Sequence, residues 1–133
     1  MSRRKVLATL VAYMAVSYLD RQILAIVLSQ IGVEFRLTDL QLGLLSGLAF
    51  AVLFSIMTIP FSLIVSRVSR RLLLICTISV WSVSTLLGGV AQGFSHLFLS
   101  RVGVGFGEAG ATPTAHSIIS EIYEEHERTT AMS

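Results

Sequence analysis

An arginine and two acids lie inside long apolar stretches of this sequence, and these are the residues whose types could do chemistry. Arg101 and Glu108 belong to the segment RVGVGFGEAGATPTAHS, and Asp20 belongs to the segment YLDRQ. Arg101 and Glu108 are seven residues apart, so a helix places them on one face, two turns from each other. Insertion scales assign each charge a cost of roughly 2.5–3.5 kcal/mol near the centre of a membrane helix. Such charges are normally tolerated where they face a protein interior or a watery cavity, which makes them candidates for function.

The composition indicates that lipid is the solvent of this chain. Hydrophobic residues make up 53% of the sequence and charged residues 14%, and the mean hydropathy is +0.77. A soluble domain averages about 25% charged residues. No basic block with interleaved aromatic residues is present, so a nucleic-acid partner is not expected. The expected partner is the lipid bilayer.

The apolar runs predict an all-α, polytopic membrane protein with four transmembrane helices. The predicted helices cover about 6–31, 40–65, 72–90 and 97–119, and such lengths suit a hydrocarbon core of ~30 Å. Thr38 and Gln41 have the spacing of a capping box, which predicts that the second helix begins after Thr38.

Lysine and arginine are distributed unequally between the two ends of these helices. They concentrate in the N-terminus and in the connection after the second span, whereas the connection after the first span has one arginine and the next has none. The positive-inside rule therefore predicts that both termini of this chain lie in the cytoplasm, with the chain in the cell membrane. The residues concerned are Arg3, Arg4, Lys5, Arg67, Arg70 and Arg71 on the cytoplasmic side, and Arg36 on the other.

With this orientation, the depth of each charged residue in the membrane can be estimated. Counted at 1.5 Å per residue, Asp20 lies roughly 20 Å from the cytoplasmic surface. By the same rise Arg101 lies roughly 6 Å and Glu108 roughly 17 Å below the outer surface. A carboxylate within reach of an arginine offsets part of the desolvation cost of both groups. Asp20 and Arg101 are therefore expected partners, although Asp20 could instead form a local ion pair with Arg21 near the outer end of the first helix.

Intramembrane acids of this kind serve as proton carriers in transporters. Asp20 and Glu108 are accordingly the candidate proton-coupling residues. Arg101 is the candidate anchor for an anionic group of a substrate, and a substrate-binding role is predicted for all three residues.

The glycines are predicted to let helices approach one another closely. Gly43 and Gly47 form a small-xxx-small pair in the second span. The segment from Gly105 to Gly110 also matches G-x-G-x-x-G, but a dinucleotide site needs a preceding strand in a βαβ unit, so no nucleotide cofactor is predicted. Helix packing is the predicted role of six glycines: Gly43, Gly47, Gly103, Gly105, Gly107 and Gly110.

No arrangement typical of catalysis is present. His116 and Ser117 are adjacent, so on a helix their side chains point in different directions, and no third group is evident to orient them. The three histidines are dispersed, which gives no basis for a metal site. The chain is therefore not predicted to be an enzyme or to hold a cofactor.

Three segments resemble the Spinster-like branch of the major facilitator superfamily: YLDRQ, FLSRVGVGFGEAGATPTAHSIIS and ERTTAMS. The resemblance implies two six-helix halves that expose a central cavity alternately to each side of the membrane. It places Asp20, Arg101 and Glu108 among the charged cavity residues and links the two acids to proton coupling. It also implies lysophospholipids or sphingoid phosphates as substrates. This chain would be the N-terminal four-helix portion of the twelve-helix fold.

The connection after the second span departs from the superfamily pattern G-x-x-x-D-R-x-G-R-R. The arginines of this gating loop, Arg67, Arg70 and Arg71, are present, but serines replace both glycines and the aspartate. The resemblance therefore implies altered gating. The leading hypothesis is a truncated proton-coupled transporter of a small organic or lipid-like anion, whose remaining helices could be a separate chain. The alternative is a small four-helix membrane protein that binds or assembles with a partner and has no transport activity of its own.

Overall fold

The computed structural model describes residues 3–123, with side chains from Lys5 onward. The elements are α1 (Arg3–Glu34), α2 (Asp39–Gly43), a π-helical turn (Leu44–Leu48), α3 (Ala49–Ile64), α4 (Arg70–Gly89) and α5 (Phe94–Ile122). Together α2, the π-helical turn and α3 make up the second span. The ERTTAMS segment, 127–133, lies outside the described residues.

The second span begins at the predicted capping box. The Gln41 backbone N–H donates to Thr38 Oγ1 at 3.3 Å, and the Thr38 backbone N–H donates to Gln41 Oε1 at 2.9 Å. Both N–H groups lie at a helix start, where no backbone carbonyl is available to accept from them. The prediction that the helix begins after Thr38 is confirmed.

Three helical segments of the described chain are long and apolar enough to cross a membrane: Lys5–Glu34, Asp39–Ile64 and Arg70–Gly89. With 29 residues α5 is long enough, at roughly 43 Å. Its composition is too polar for it to count as a fourth such segment, because it contains Arg101, Glu108 and several small residues. It is nevertheless the helix with the most buried residues, packed mainly against α4 and α3. A helix covered by protein does not need an apolar surface, and that explains how α5 differs from the other spans.

Glycines on one face of α5 allow it to lie almost in backbone contact with α4. A Cβ atom added at Gly107 would stand 2.7 Å from both the Thr77 carbonyl oxygen and the Trp81 backbone nitrogen. One added at Gly103 would lie 2.1 Å from Ser84 Oγ. A Cβ atom added at Gly110 would meet two side chains, that of Thr77 on α4 at 2.4 Å and that of Phe61 on α3 at 3.0 Å, whereas Gly105 faces Phe50, at 3.4 Å.

Gly43 and Gly47 face open space within the described part of the chain. A Cβ atom added to either would meet no other heavy atom within 4 Å. Gly47 has a φ of +146°, a backbone angle that residues with a side chain rarely adopt. It lies inside the π-helical turn of the second span. The packing role expected for these two glycines therefore stays a prediction about a partner other than the described helices.

The N-terminal half of α1 packs on α4 and α5 through apolar contacts. Tyr13 and Trp81 form an edge-to-face pair with ring centroids 5.5 Å apart. One turn further toward the N-terminus, Leu10 packs against Ala115 and Ile119. These contacts hold α1 against α4 and α5 on the N-terminal side of Ser17 and Asp20.

Gly107→Ala is expected to destabilise the fold by about 1–3 kcal/mol, since overpacking a tight interface costs that much. The atoms that the new methyl group would meet belong to the backbone of α4, which cannot rotate away. Denaturant unfolding in detergent micelles, followed by far-UV circular dichroism, measures the change.

The matched control is Gly89→Ala, because a Cβ atom there meets nothing within 4 Å. This control should unfold at nearly the same denaturant concentration as the unchanged protein. Equal effects of the two substitutions would contradict the close α4–α5 contact.

Candidate functional site: a charged interface between α1 and α5

The carboxylate of Glu108 is completely buried, with no exposed surface. Two side chains of α1 compensate it. Ser17 Oγ donates a hydrogen bond to Oε1 at 2.7 Å, and Arg21 Nε donates to Oε2 at 3.1 Å. Arg21 Nη2 also forms an ion pair with Oε2. A buried charge without such partners would cost several kcal/mol, so the position of Glu108 depends on α1.

Arg21 is a residue of the candidate site that the sequence pattern did not indicate. From the sequence it was expected only as a local partner of Asp20, whereas the structure pairs it with Glu108. Its side chain remains 45% exposed, and its guanidinium lies 4.9 Å from the centroid of the Phe50 ring. The available signal was the four-residue spacing of Ser17 and Arg21, which puts a hydroxyl and a cation on one helix face.

The structure brings Asp20 and Arg101 together, as expected from their depths. Arg101 Nη1 donates to Asp20 Oδ2 at 3.4 Å, and the two side chains are 10% and 15% exposed. This bond is long and uses one of the five N–H donors of the guanidinium. Arg101 Nε is buried and has no hydrogen-bond partner among the described residues. Arg101 thus retains donors for another acceptor.

A cavity of about 420 Å³ adjoins this arginine, between the C-terminal halves of α1 and α4 and the N-terminal half of α5. Polar groups and small residues occupy its wall near Arg101, with aliphatic side chains further along α1. The lining includes Asp20, Leu24, Thr85, Gly88, Ser100 and Arg101. A small polar or anionic group placed there would reach the unused donors of Arg101.

The three arginines of the predicted gating loop differ in their partners. Arg70 forms an ion pair with Glu121, and so links the start of α4 to the end of α5. The side chains of Arg70 and Glu121 are 36% and 64% exposed, and a pair in which neither charge is buried contributes little to stability. Arg67 and Arg71 are exposed and have no ion-pair partner within the described residues.

Comparison with known proteins identifies the family to which this chain belongs. The profile of the Major Facilitator Superfamily matches residues 10–133. The chain belongs to this superfamily. The D-galactonate transporter of Escherichia coli is 34% identical over 132 residues, covering 98% of this chain and 30% of that relative. The Sphingosine-1-phosphate transporter SPNS2 of Danio rerio is 32% identical over 119 residues, covering 88% of this chain and 23% of that relative.

Solved structures support the Spinster-like branch. A bacterial homologue of the human lysosomal transporter Spinster, in an inward-facing, unoccupied conformation, superposes with a TM-score of 0.90 at 37% identity. The match covers 98% of this chain and 27% of that one. The chain therefore spans less than a third of the length of these relatives, and the match is to a multi-pass membrane fold of transporters.

Arg21→Met is expected to destabilise the protein by roughly 3 kcal/mol, because it leaves the buried carboxylate of Glu108 without its cation. The double variant Arg21→Met/Glu108→Gln should recover most of this loss, since it removes the uncompensated charge. Unfolding in detergent measures both changes.

The comparison pair is Arg70 and Glu121, which is exposed to solvent. Arg70→Met should cost no more than about 1 kcal/mol. Equal costs at Arg21 and Arg70, or no recovery in the double variant, would contradict the compensating role of Arg21.

Proposed function

We propose that this chain forms the N-terminal part of a secondary active transporter that couples substrate movement to protons. The observation that carries the proposal is the pair of polar contacts between α1 and α5, Ser17–Glu108–Arg21 and Asp20–Arg101, within otherwise apolar spans. Intramembrane ionisable residues in paired arrangements are typical of proton and substrate pathways.

Glu108 is the proposed proton carrier. Its negative charge is compensated by Arg21 and Ser17, both from α1. If α1 shifts and withdraws Arg21, an ionised carboxylate is left buried, and taking up a proton removes that cost. When Arg21 returns, the proton is released. Asp20 has the same relation to Arg101, so a shift between the two helices would alter the protonation of both acids.

Arg101 is the proposed anchor for the substrate. Its Nε atom is buried without a partner, and the cavity beside it is large enough for a small polar group. The names of the two relatives described above each state an anionic substrate, since galactonate has a carboxylate and sphingosine-1-phosphate has a phosphate. We infer a small organic or lipid-like anion as the substrate class.

The proposal requires more than the four spans present here. Alternating access needs two repeats around one central site, and this chain spans 27% of the Spinster homologue. The remaining helices would follow on the same polypeptide or come from a separate chain. The lysine and arginine pattern supports placement in the cell membrane with both termini of this chain in the cytoplasm.

The proton role is tested in a chimera that joins this chain to the remaining length of the D-galactonate transporter. In liposomes, a pH gradient should drive accumulation of D-galactonate. Glu108→Gln should reduce accumulation to the level seen without the gradient, because glutamine does not exchange protons in this range. Asp39→Asn, which removes an exposed acid outside the site, is the control. Gradient-driven accumulation that survives Glu108→Gln would refute the assignment.

The substrate role is tested with Arg101→Gln in the same chimera. Binding of D-galactonate should weaken roughly 10- to 100-fold, the range for losing hydrogen bonds to a charged group. Galactitol has the same carbon skeleton without the carboxylate and should lose little. Equal losses for the two ligands would indicate that Arg101 acts on the structure alone.

The second candidate is a membrane protein that binds or assembles with a partner and does not transport. The open face at Gly43 and Gly47 favours it, because a neighbouring helix could approach there closely. A chimera that reaches the membrane folded but moves no D-galactonate under any gradient would favour this candidate over transport.

A further inference from the structure

We propose that the basic loop between α3 and α4, residues 65–71, binds the headgroup of an anionic phospholipid of the surrounding membrane. The inference does not depend on transport activity. It rests on the charges, the hollow and the apolar surface that meet at this loop.

The loop has positive charge in excess. Residues 65–71 contain three arginines and no acid. Within the described residues, Arg70 pairs with Glu121, whereas Arg67 and Arg71 are exposed and form neither ion pairs nor hydrogen bonds. Among the described residues, the three arginines of the loop together with Glu121 carry a net charge of +2. Two guanidinium groups are thus available to an anion.

The start of α4 adds donors at the same place. Ser69 is the N-cap residue of this 20-residue helix, but its side chain makes no capping hydrogen bond. The first-turn N–H groups and the positive end of the helix dipole therefore favour a negative group nearby. A hollow of about 370 Å³ lies beside them, and it is lined by Val65, Ser66, Val68, Arg70, Arg71 and Glu121.

Exposed aliphatic side chains lie in this loop and next to it in the sequence. Val68, which lines the hollow, is 42% exposed, and Leu63 and Leu72, on the two sides of the loop, are 66% and 56% exposed. A free anion has no apolar part that could contact these aliphatic side chains. A phospholipid has one, so its phosphate can lie in the hollow beside Arg71, near the exposed Arg67 of the same loop, while its acyl chain contacts the aliphatic side chains. Basic residues beside a membrane helix attract anionic lipids in this way, and the combination favours a lipid over a soluble anion.

The test measures lipid binding to the purified 133-residue chain in detergent by native mass spectrometry. The probes are phosphatidylglycerol and phosphatidylcholine with identical acyl chains. Phosphatidylglycerol should bind more tightly. The double variant Arg67→Gln/Arg71→Gln should weaken its binding roughly 30-fold, as two interfacial charges would. Binding of phosphatidylcholine should change little.

Two controls separate charge from folding. Arg36→Gln removes an exposed arginine from the loop at the opposite end of the helices and should leave the lipid affinity unchanged. Arg67→Lys/Arg71→Lys keeps the charges and should bind phosphatidylglycerol nearly as well as the unchanged chain. If the lysine variant binds as weakly as the glutamine variant, the electrostatic assignment is wrong.

The remaining outcomes also decide the proposal. Equal affinity for the two lipids, or no effect of Arg67→Gln/Arg71→Gln, would overturn it. Displacement of phosphatidylglycerol by millimolar inorganic phosphate would show a site for free anions instead of a lipid site, and would overturn it as well. Resistance to phosphate together with the loss in the glutamine variant supports the lipid.

Discussion

The complete burial of one carboxylate constrains the arrangement of these helices. Glu108 has no exposed surface, so the compensation for its charge must come from protein. The described compensation is supplied by Ser17 and Arg21, which fixes the height at which α1 crosses α5. Asp20 lies between Ser17 and Arg21 on α1, and its partner Arg101 lies two turns before Glu108 on α5, so this pair follows from the same crossing.

Two kinds of contact surround α5, and they differ in how readily they can change. Toward α4, glycines bring the two backbones together, and backbone atoms in contact leave no freedom to shift. Toward α1, the contacts of Glu108 and Arg101 are made by long charged side chains, which can rotate and reach other partners. If α1 and α5 move relative to each other during transport, this second interface is the one suited to the motion. The cavity beside Arg101 lies at this interface.

The sequence alone predicted those contacts that depend on a regular residue spacing or on the depth of a residue along its helix. The capping box at Thr38 followed from a three-residue spacing, and the Asp20–Arg101 contact followed from two helices of known direction and rise. Arg21 was missed because its partner depends on which way a long, half-exposed side chain turns, and helix spacing alone does not determine that.

The π-helical turn at Leu44–Leu48 could not be predicted either. Its glycine, Gly47, has the same spacing to Gly43 that an ordinary packing motif has, and only the backbone angle distinguishes the two. For the glycines of α5, in contrast, the sequence predicted helix packing and the structure shows a close neighbour. Gly103, Gly107 and Gly110 share one helix face, and the structure gives that face a neighbour at backbone distance.

The polar composition of α5 has a consequence for how the protein enters the membrane. This helix is the last of the four to be synthesised, and among the long helices of the described chain it is the one that is not apolar enough to count as a membrane span. Each of its charges costs roughly 2.5–3.5 kcal/mol when inserted alone. Their partners, Asp20 and Arg21, belong to the helix synthesised first. We therefore expect α5 to be retained in the bilayer only as it associates with α1, so that insertion and folding are a single coupled event for this helix.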